Sequence, residues 1–290
     1  MKILLAPSES KNSGGNSRFD IGKLSFDESL GALRAELWDK YLSVFKSGDE
    51  AQICALTGLK KPEIFDFSTS LEAILRYSGV AYDYLDYGSL DKDAKDFLEQ
   101  NLLIFSNLFG VLKPNDKVPC YKLKQGEKCA GIEVANYYKS VLSAVLDQYL
   151  QNDEILDLRA GFYEKFYVPS KEYIVLKFIK GSKVVSHFAK AYRGLVLRYI
   201  AMNACGSFDE FLTLKIPDLK LLEITKIKNK ITYSFEISQD FIPVFSSLFF
   251  ILALNQFNRP ALIEVIQTSR HLDVYLGVTV YLAFFQKLIQ

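Results

Sequence analysis

The sequence predicts a mixed α/β protein in which a mixed sheet is surrounded by helices, and three observations support this prediction. Apolar residues recur at helical spacing in three long segments of the first 150 residues. After residue 150 the apolar period falls to about two, in segments rich in Val, Ile and aromatic residues that are typical of strands. No repeat of fixed period is present, and the 290 residues fit one large domain or two small ones.

The chain opens with a predicted buried strand at residues 2–6 and a polar loop at residues 7–16. The predicted helices cover residues 27–46 and 134–149, with a third from Asp91 whose apolar stripe is Ala94, Phe97, Leu98, Leu102 and Phe105. The predicted strands are residues 155–158, 173–179 and 184–188. A strand that runs into a polar loop commonly brings side chains to a cleft, so the 7–16 loop is a candidate site.

Composition changes beyond Ile237, which divides the chain into a domain of residues 1–237 and an apolar extension of residues 238–290. Residues 241–254 of the extension contain no charge, and at fourteen residues this apolar run is shorter than the roughly 20 residues that span a bilayer. We therefore expect no membrane span. The extension fits a packed helical addition, a dimer surface or a membrane-surface element, and its role and the oligomeric state stay open.

Charge is almost balanced, with 35 Lys and Arg against 34 Asp and Glu, so any attraction to nucleic acid must come from uneven placement of charge. The four cysteines form no CxxC pair, and the first residues become polar too soon for a signal peptide, so we expect free thiols and a cytoplasmic protein. The spacing of Cys120, Cys129 and His187 matches no standard zinc pattern. We expect no metal and no cofactor.

The most uneven charge lies between residues 177 and 198, where six basic residues occur without one acid. They are Lys177, Lys180, Lys183, Lys190, Arg193 and Arg198. On a helix beginning near Ala189, the last three would share one face with Gly194 and Ala201, small residues that would let a phosphate backbone approach. Lys113, Lys117, Lys122, Lys124 and Lys128 form a second basic stretch. The competing interpretation is a solvated basic helix with no partner.

Residues 51–67 predict a helical hairpin, with a turn at Gly58 and a second helix from Lys60 or Lys61. Gly58 permits a tight turn, and Pro62 suits a first helical turn. A helix-hairpin-helix binds phosphate with backbone N–H groups, without reading sequence. The alternative is a hairpin that serves only packing.

Enzyme motifs are absent: the chain has no GxSxG, HExxH, phosphate loop or Rossmann fingerprint, and only two histidines. One enzymatic alternative stays open. Glu9 and Lys11, together with Arg159 and Glu164 after a predicted strand, would form a site for a small phosphorylated or nucleotide substrate if the four converge. Otherwise these charges form structural ion pairs.

Four segments carry the clearest motifs: ILLAPSESK (3–11), LFGVLKPNDKVPCYKL (108–123), ILDLRAGFYEKF (155–166) and FAKAYRGLVLRYI (188–200). In order and separation they resemble the YaaA family of peroxide-stress proteins, up to about residue 237. The resemblance implies a single-domain α/β fold with a positively charged cleft, a helix-hairpin-helix-like element and DNA binding. It also implies a role in the response to hydrogen peroxide, in which the family limits free intracellular iron and oxidative damage.

The leading prediction is therefore a non-enzymatic factor that binds double-stranded or distorted DNA through a basic cleft, without reading its sequence. The predicted phosphate contacts are Lys190, Arg193, Arg198, Lys183, Lys113, Lys122, Gly58, Lys60 and Lys61. The runner-up is the enzyme site at Glu9, Lys11, Arg159 and Glu164. Direct iron binding ranks third, because the chain is poor in ligands.

Overall fold

The computed structural model describes residues 1–238 apart from 182 and 185, and in that part the chain is a mixed α/β protein, as predicted. The described strands are β1 (Lys2–Leu5), β2 (Ser17–Arg18), β3 (Thr69–Glu72), β4 (Leu102–Ser106), β5 (Gly110–Leu112), β6 (Lys117–Pro119), β7 (Ile155–Asp157), β8 (Tyr173–Lys180), β9 (Lys183–Val184), β10 (Leu219–Ile227) and β11 (Lys230–Ile237). The described helices are α1 (Asp27–Ser47), α2 (Glu50–Thr57), α3 (Ala73–Arg76), α4 (Val80–Leu85), α5 (Lys92–Asn101), α6 (Val134–Tyr149), α7 (Ser186–Met202) and α8 (Phe208–Thr213).

The main sheet has the order β10-β11-β8-β7-β1-β4-β5, with β9 paired to β8. Five neighbouring strands, β11, β8, β7, β1 and β4, run parallel, whereas β5, β9 and β10 run antiparallel. A smaller sheet joins β2, β3 and β6. Because the chain passes from β1 first to β4 on one side and later to β7 on the other, the strand order reverses at β1.

The strands do not end at one level. Asp157, the last residue of β7, pairs with Val175, and β8 continues to Lys180, five residues further. At a rise of roughly 3.3 Å per residue, β8 projects about 17 Å beyond β7. The end of β8 therefore projects beyond the carboxyl ends of β7 and β1.

The helices begin where their sequences allow. The Asp91 side chain caps α5 by accepting a hydrogen bond from the Ala94 N–H, and α6 covers the predicted residues 134–149. Arg34 on α1 is fully buried, and its guanidinium donates hydrogen bonds to the backbone oxygens of Ser25, Phe109 and Val111. These bonds fix α1 against β5 and the turn before it.

Two predicted boundaries are wrong. The stripe assigned to the helix from Asp91 included Leu102 and Phe105, but both lie in β4, where every residue is buried. A continuous apolar run is typical of a parallel strand covered on both faces, and its helical spacing is incidental. The strand predicted at residues 184–188 ends at Val184, because the chain turns into α7 and buries Ala189 and Tyr192 at helical spacing.

Residues Met1–Ile237 form one compact unit. The extension predicted at 238–290 lies outside the described residues except for Ser238, so its role stays a prediction. Within the described part of the chain, no helix combines the length and apolar character needed to cross a bilayer.

Candidate functional site at the carboxyl end of the sheet

The loop after β1 lies at the carboxyl end of the parallel strands, next to the point where the strand order reverses. Ligands of open α/β sheets bind at this position. A buried arginine fixes the loop: Arg76 donates hydrogen bonds to the backbone oxygens of Asn12, Gly14 and Val118. The loop is thereby ordered before any ligand arrives.

Lys11 is the residue that this loop presents. Its half-buried ammonium lies 4.2 Å from the Tyr121 ring centroid and 5.3 Å from that of Tyr77, and it donates to the backbone oxygens of Ser8 and Glu9 at 3.1 and 3.5 Å. It forms no ion pair with a carboxylate in the described part of the chain. Burial lowers the pKa of Lys11 to about 7.

A chain of buried hydroxyl groups supports the two rings beside Lys11. The Tyr77 and Tyr121 hydroxyls are 2.8 Å apart, and the Tyr121 hydroxyl is 2.8 Å from the Ser106 Oγ at the end of β4. Burial raises the pKa of Tyr77 to about 12 and that of Tyr121 well above its ordinary value, so both stay neutral. The wall of the site is therefore rigid and uncharged.

At the end of β7, Asp157 and Arg159 form a buried ion pair. The Arg159 guanidinium donates to both Asp157 oxygens at 2.8 and 2.7 Å and to the backbone oxygens of Tyr163 and Tyr167. These bonds occupy the Arg159 guanidinium, and they hold the turn after β7 in place.

The predicted basic helix contributes two cations to this end of the sheet. Lys190 is exposed, and Arg193 is half-buried without a hydrogen bond or ion pair to any described residue. Burial lowers the pKa of Arg193, and the charge of Asp157 opposes that shift, so its guanidinium lies within electrostatic reach of the end of β7. Lys180, at the tip of β8, lies over the Phe188 ring at 5.1 Å.

The rest of the predicted basic face is structural. Arg198 donates to the backbone oxygens of Leu85 and Asp86 and pairs with the Asp86 carboxylate at 3.6 Å, so it caps α4. A Cβ at Gly194 would overlap the Ala81 carbonyl oxygen, and Ala201 is buried. The small residues thus serve close packing of α7 on α4, and the prediction that they admit a phosphate is wrong.

The other predicted contacts are distributed unevenly. Lys122 is half-buried close enough to Lys11 for its charge to lower the Lys11 pKa. Lys113 follows the antiparallel β5 and lies at the amino end of the sheet, with its ammonium over the Phe26 and Tyr149 rings at 5.8 and 5.5 Å. It cannot share a surface with the cations at the carboxyl end. Lys183 pairs through its backbone with Lys180, and its side chain lies outside the described residues.

The prediction of a helix-hairpin-helix is wrong in its second helix. Gly58 ends α2 with φ 71°, but no helix follows before Ser68. The residue before Pro62 is disfavoured from helix, and Phe65 and Phe67, two positions apart, pack on the α1 side chain of Phe45 at 5.7 and 5.3 Å. Lys60 and Lys61 are exposed in this irregular segment.

The four residues of the enzyme alternative are only partly brought together. Glu9 acts electrostatically on Lys11, whereas Arg159 is engaged by Asp157 and Glu164 pairs with Lys230 at 2.6 Å. All four cysteines are free thiols, as expected. In the part of the chain that the structure describes, no group of three or more His, Cys, Asp or Glu side chains is placed to hold a metal ion.

Sequence reasoning missed Arg76, Tyr77 and Tyr121 as parts of the site. Their partners lie far along the chain, and a lone arginine between Leu75 and Tyr77 gives no local signal. Tyr121 does lie in the most specific segment, residues 108–123, which is the signal that would have found it.

Comparison with known proteins agrees with the resemblance. A family model described as peroxide stress protein YaaA matches residues 1–224. An uncharacterized protein of Campylobacter jejuni is 44% identical over 232 residues, covering 77% of this chain and 94% of that relative. UPF0246 proteins of Streptomyces coelicolor and Corynebacterium efficiens are each 32% identical, covering 72% and 70% of this chain and 85% and 86% of the relatives.

Proposed function

The chain belongs to the peroxide stress protein YaaA family, and from this premise we propose that it binds DNA, without reading sequence, at the carboxyl end of its sheet. Lys190 and Arg193 contact phosphates in this proposal, and Lys122 and Lys180 extend the surface. Limiting free intracellular iron and oxidative damage, which the resemblance implies, belongs to the same proposal.

The observation that carries the proposal is the availability of cations at this end of the sheet. Lys190 is exposed, and Arg193 has no carboxylate within ion-pair distance among the described residues. Asp157, the acid whose charge acts on Arg193, is already bound by Arg159. Cations that lack local counterions attract phosphates, because each contact releases ions condensed on the DNA.

The shape of the sheet favours a groove here. In this proposal the projecting end of β8 and the helix α7 form one wall of the groove, and the loop with Lys11 lies at the ends of the shorter strands β1 and β7. Lys60 and Lys61 add exposed charge beside Lys124, because Lys124 lies against Gly58. In this proposal they contribute by charge and not by a helix N-terminus.

Charge reversal tests the proposal. We expect the double variant Lys190→Glu, Arg193→Glu to bind duplex DNA at least tenfold more weakly in low salt, and the slope of log affinity against log salt to fall by about 2, one for each lost phosphate contact. Affinity is measured by fluorescence anisotropy at four salt concentrations.

The matched control makes the same change of charge elsewhere. Lys139 is exposed on α6, and Lys228 is exposed in the turn between β10 and β11 at the amino end of the sheet. We expect Lys139→Glu, Lys228→Glu to keep the wild-type slope. If both double variants lost DNA affinity equally, the loss would come from the change in net charge alone. That result would reject the assigned binding surface.

A second candidate, an enzyme acting on a small phosphorylated or nucleotide substrate, is favoured by one observation. Lys11 is a half-buried amine with two other basic residues, Lys122 and Arg76, acting on it. Binding of such a substrate predicts heat on titration with nucleoside monophosphates, lost in Lys11→Met. No heat with the wild-type chain removes this candidate.

A further inference from the structure

The surroundings of Lys11 differ from those of an exposed lysine that contacts phosphate. An ammonium that is partly removed from water is costly unless an anion lies beside it. Here the neighbours that hold the side chain are two aromatic rings and two backbone carbonyls, and no described carboxylate pairs with it. Removal from water without a paired carboxylate favours the neutral amine, whereas the rings and the carbonyl oxygens favour the ammonium.

The charges around Lys11 act in both directions. Burial has the largest effect and lowers its pKa; Lys122 and Arg76 lower it further, while Cys120 and Glu9 raise it. The outcome is a pKa of about 7, so that near neutral pH about half of the molecules carry an unprotonated amine. An exposed lysine with the ordinary value of 10.5 is almost wholly protonated there.

We propose that Lys11 forms a Schiff base with an aldehyde carried beside a phosphate. The loop that holds it is fixed by Arg76, and Lys122 supplies a neighbouring positive charge for the phosphate. Two sources share this chemistry: the open-chain sugar of an abasic site in DNA, and a free phosphorylated sugar. The first source rests on the proposed DNA binding, and the second does not.

The step balances without an oxidant or reductant. The Lys11 Nζ attacks the carbonyl carbon, and a C=N bond replaces the C=O bond. The carbonyl oxygen leaves as water with the two hydrogens of the amine. An abasic site is the DNA lesion that fits best, because it exposes an aldehyde and has no base to unstack.

Reductive trapping with the full chain tests the inference. Wild type is incubated with sodium cyanoborohydride and either a duplex holding one abasic site, 2-deoxyribose 5-phosphate, or an intact duplex, and the adduct is located by peptide mass spectrometry. We expect an adduct on Lys11 with one or both aldehydes and none with the intact duplex. Lys11→Met should abolish it, whereas Lys139→Met, which changes an exposed lysine of α6 outside the proposed surface, should leave it unchanged.

The pH dependence of adduct formation distinguishes a lysine with a lowered pKa from ordinary exposed lysines. The initial trapping rate should rise with pH to a midpoint near 7 and then level off, and Lys122→Met should move that midpoint upward, since the charge of Lys122 lowers the Lys11 pKa. A rate that keeps rising toward pH 10, or an adduct spread over many lysines, overturns the inference. Because the adduct is located in the wild-type chain, the test holds even if Lys11→Met folds poorly.

The arms distinguish the two proposals. An adduct on the abasic duplex supports DNA as the source, and one on the free sugar phosphate alone supports a small-molecule source. Tight binding of the intact duplex without any adduct overturns the Schiff-base inference and leaves DNA binding standing. An adduct with the sugar phosphate in a chain that does not bind duplex DNA supports the Schiff-base inference and overturns the proposed DNA binding.

Discussion

At the scale of single residues, the site depends on which charges are satisfied by the protein itself. Arg76, Arg159 and Arg198 donate to backbone oxygens or carboxylates and hold loops and helix ends in place. Among the described residues, Arg193 has no hydrogen bond or ion pair, and Lys11 has no carboxylate partner and donates only to backbone oxygens of its own loop. The sequence could not separate these two groups, because an arginine that caps a helix and one that meets a phosphate look alike until their neighbours are known.

Lys11 gives a prediction for stability. Its pKa is about 7 in the folded chain and 10.5 in an unfolded one, so between these values the unfolded state binds more protons and stability rises with pH. Lys11→Met removes this dependence. We expect the variant to be more stable than wild type at pH 7 and the difference to shrink as the pH approaches 10, by urea unfolding. A difference that stays constant would show that Lys11 is not shifted in the fold.

At the scale of elements, one face of α7 packs on α4 and another is exposed. Gly194 allows α7 to approach the backbone of α4, while Lys190 stays exposed. The sequence predicted the helix and its basic residues, but it assigned Gly194 and Arg198 to the binding face. A small residue beside a cation fits both a phosphate and a neighbouring helix, and only the position of α4 decides between them.

Close packing at Gly194 is testable by adding one methyl group. Gly194→Ala places its Cβ against the Ala81 carbonyl oxygen, so α7 and α4 must separate, and we expect a loss of about 1–3 kcal/mol in the free energy of unfolding. Gly88→Ala is the control, because nothing lies within 4 Å of its added Cβ. If both variants unfold at the wild-type urea concentration, the α4–α7 contact is looser than described.

Local pattern predicted some elements better than others. Helices α1 and α6 and strands β1, β7 and β8 lie within a residue or two of their predicted positions, because each repeats its apolar residues regularly. The second helix after Gly58 failed because aromatic contacts of Phe65 and Phe67 with α1 outweigh local helix signals. The order of the strands in the sheet could not be predicted from local sequence patterns. This order brings Lys11, Asp157 and Arg193 to the carboxyl end of the sheet.

At the scale of the whole molecule, the proposal requires a chain of net charge +1 to gather cations at one end of its sheet. Parallel strands bring the residues that follow β1, β7 and β8 to one end of the sheet, whereas the antiparallel β5 sends Lys113 to the other. If the cations are gathered in this way, DNA should bind at the carboxyl end of the sheet and not at the amino end. The central claim is therefore one of location.

Lysine acetylation footprinting, with and without duplex DNA, tests that location most directly. We expect DNA to slow acetylation of Lys180, Lys190 and Lys122 at the carboxyl end of the sheet, and to leave Lys113, Lys139 and Lys228 unchanged. Protection confined to these last three, or equal protection of all six, would contradict the account.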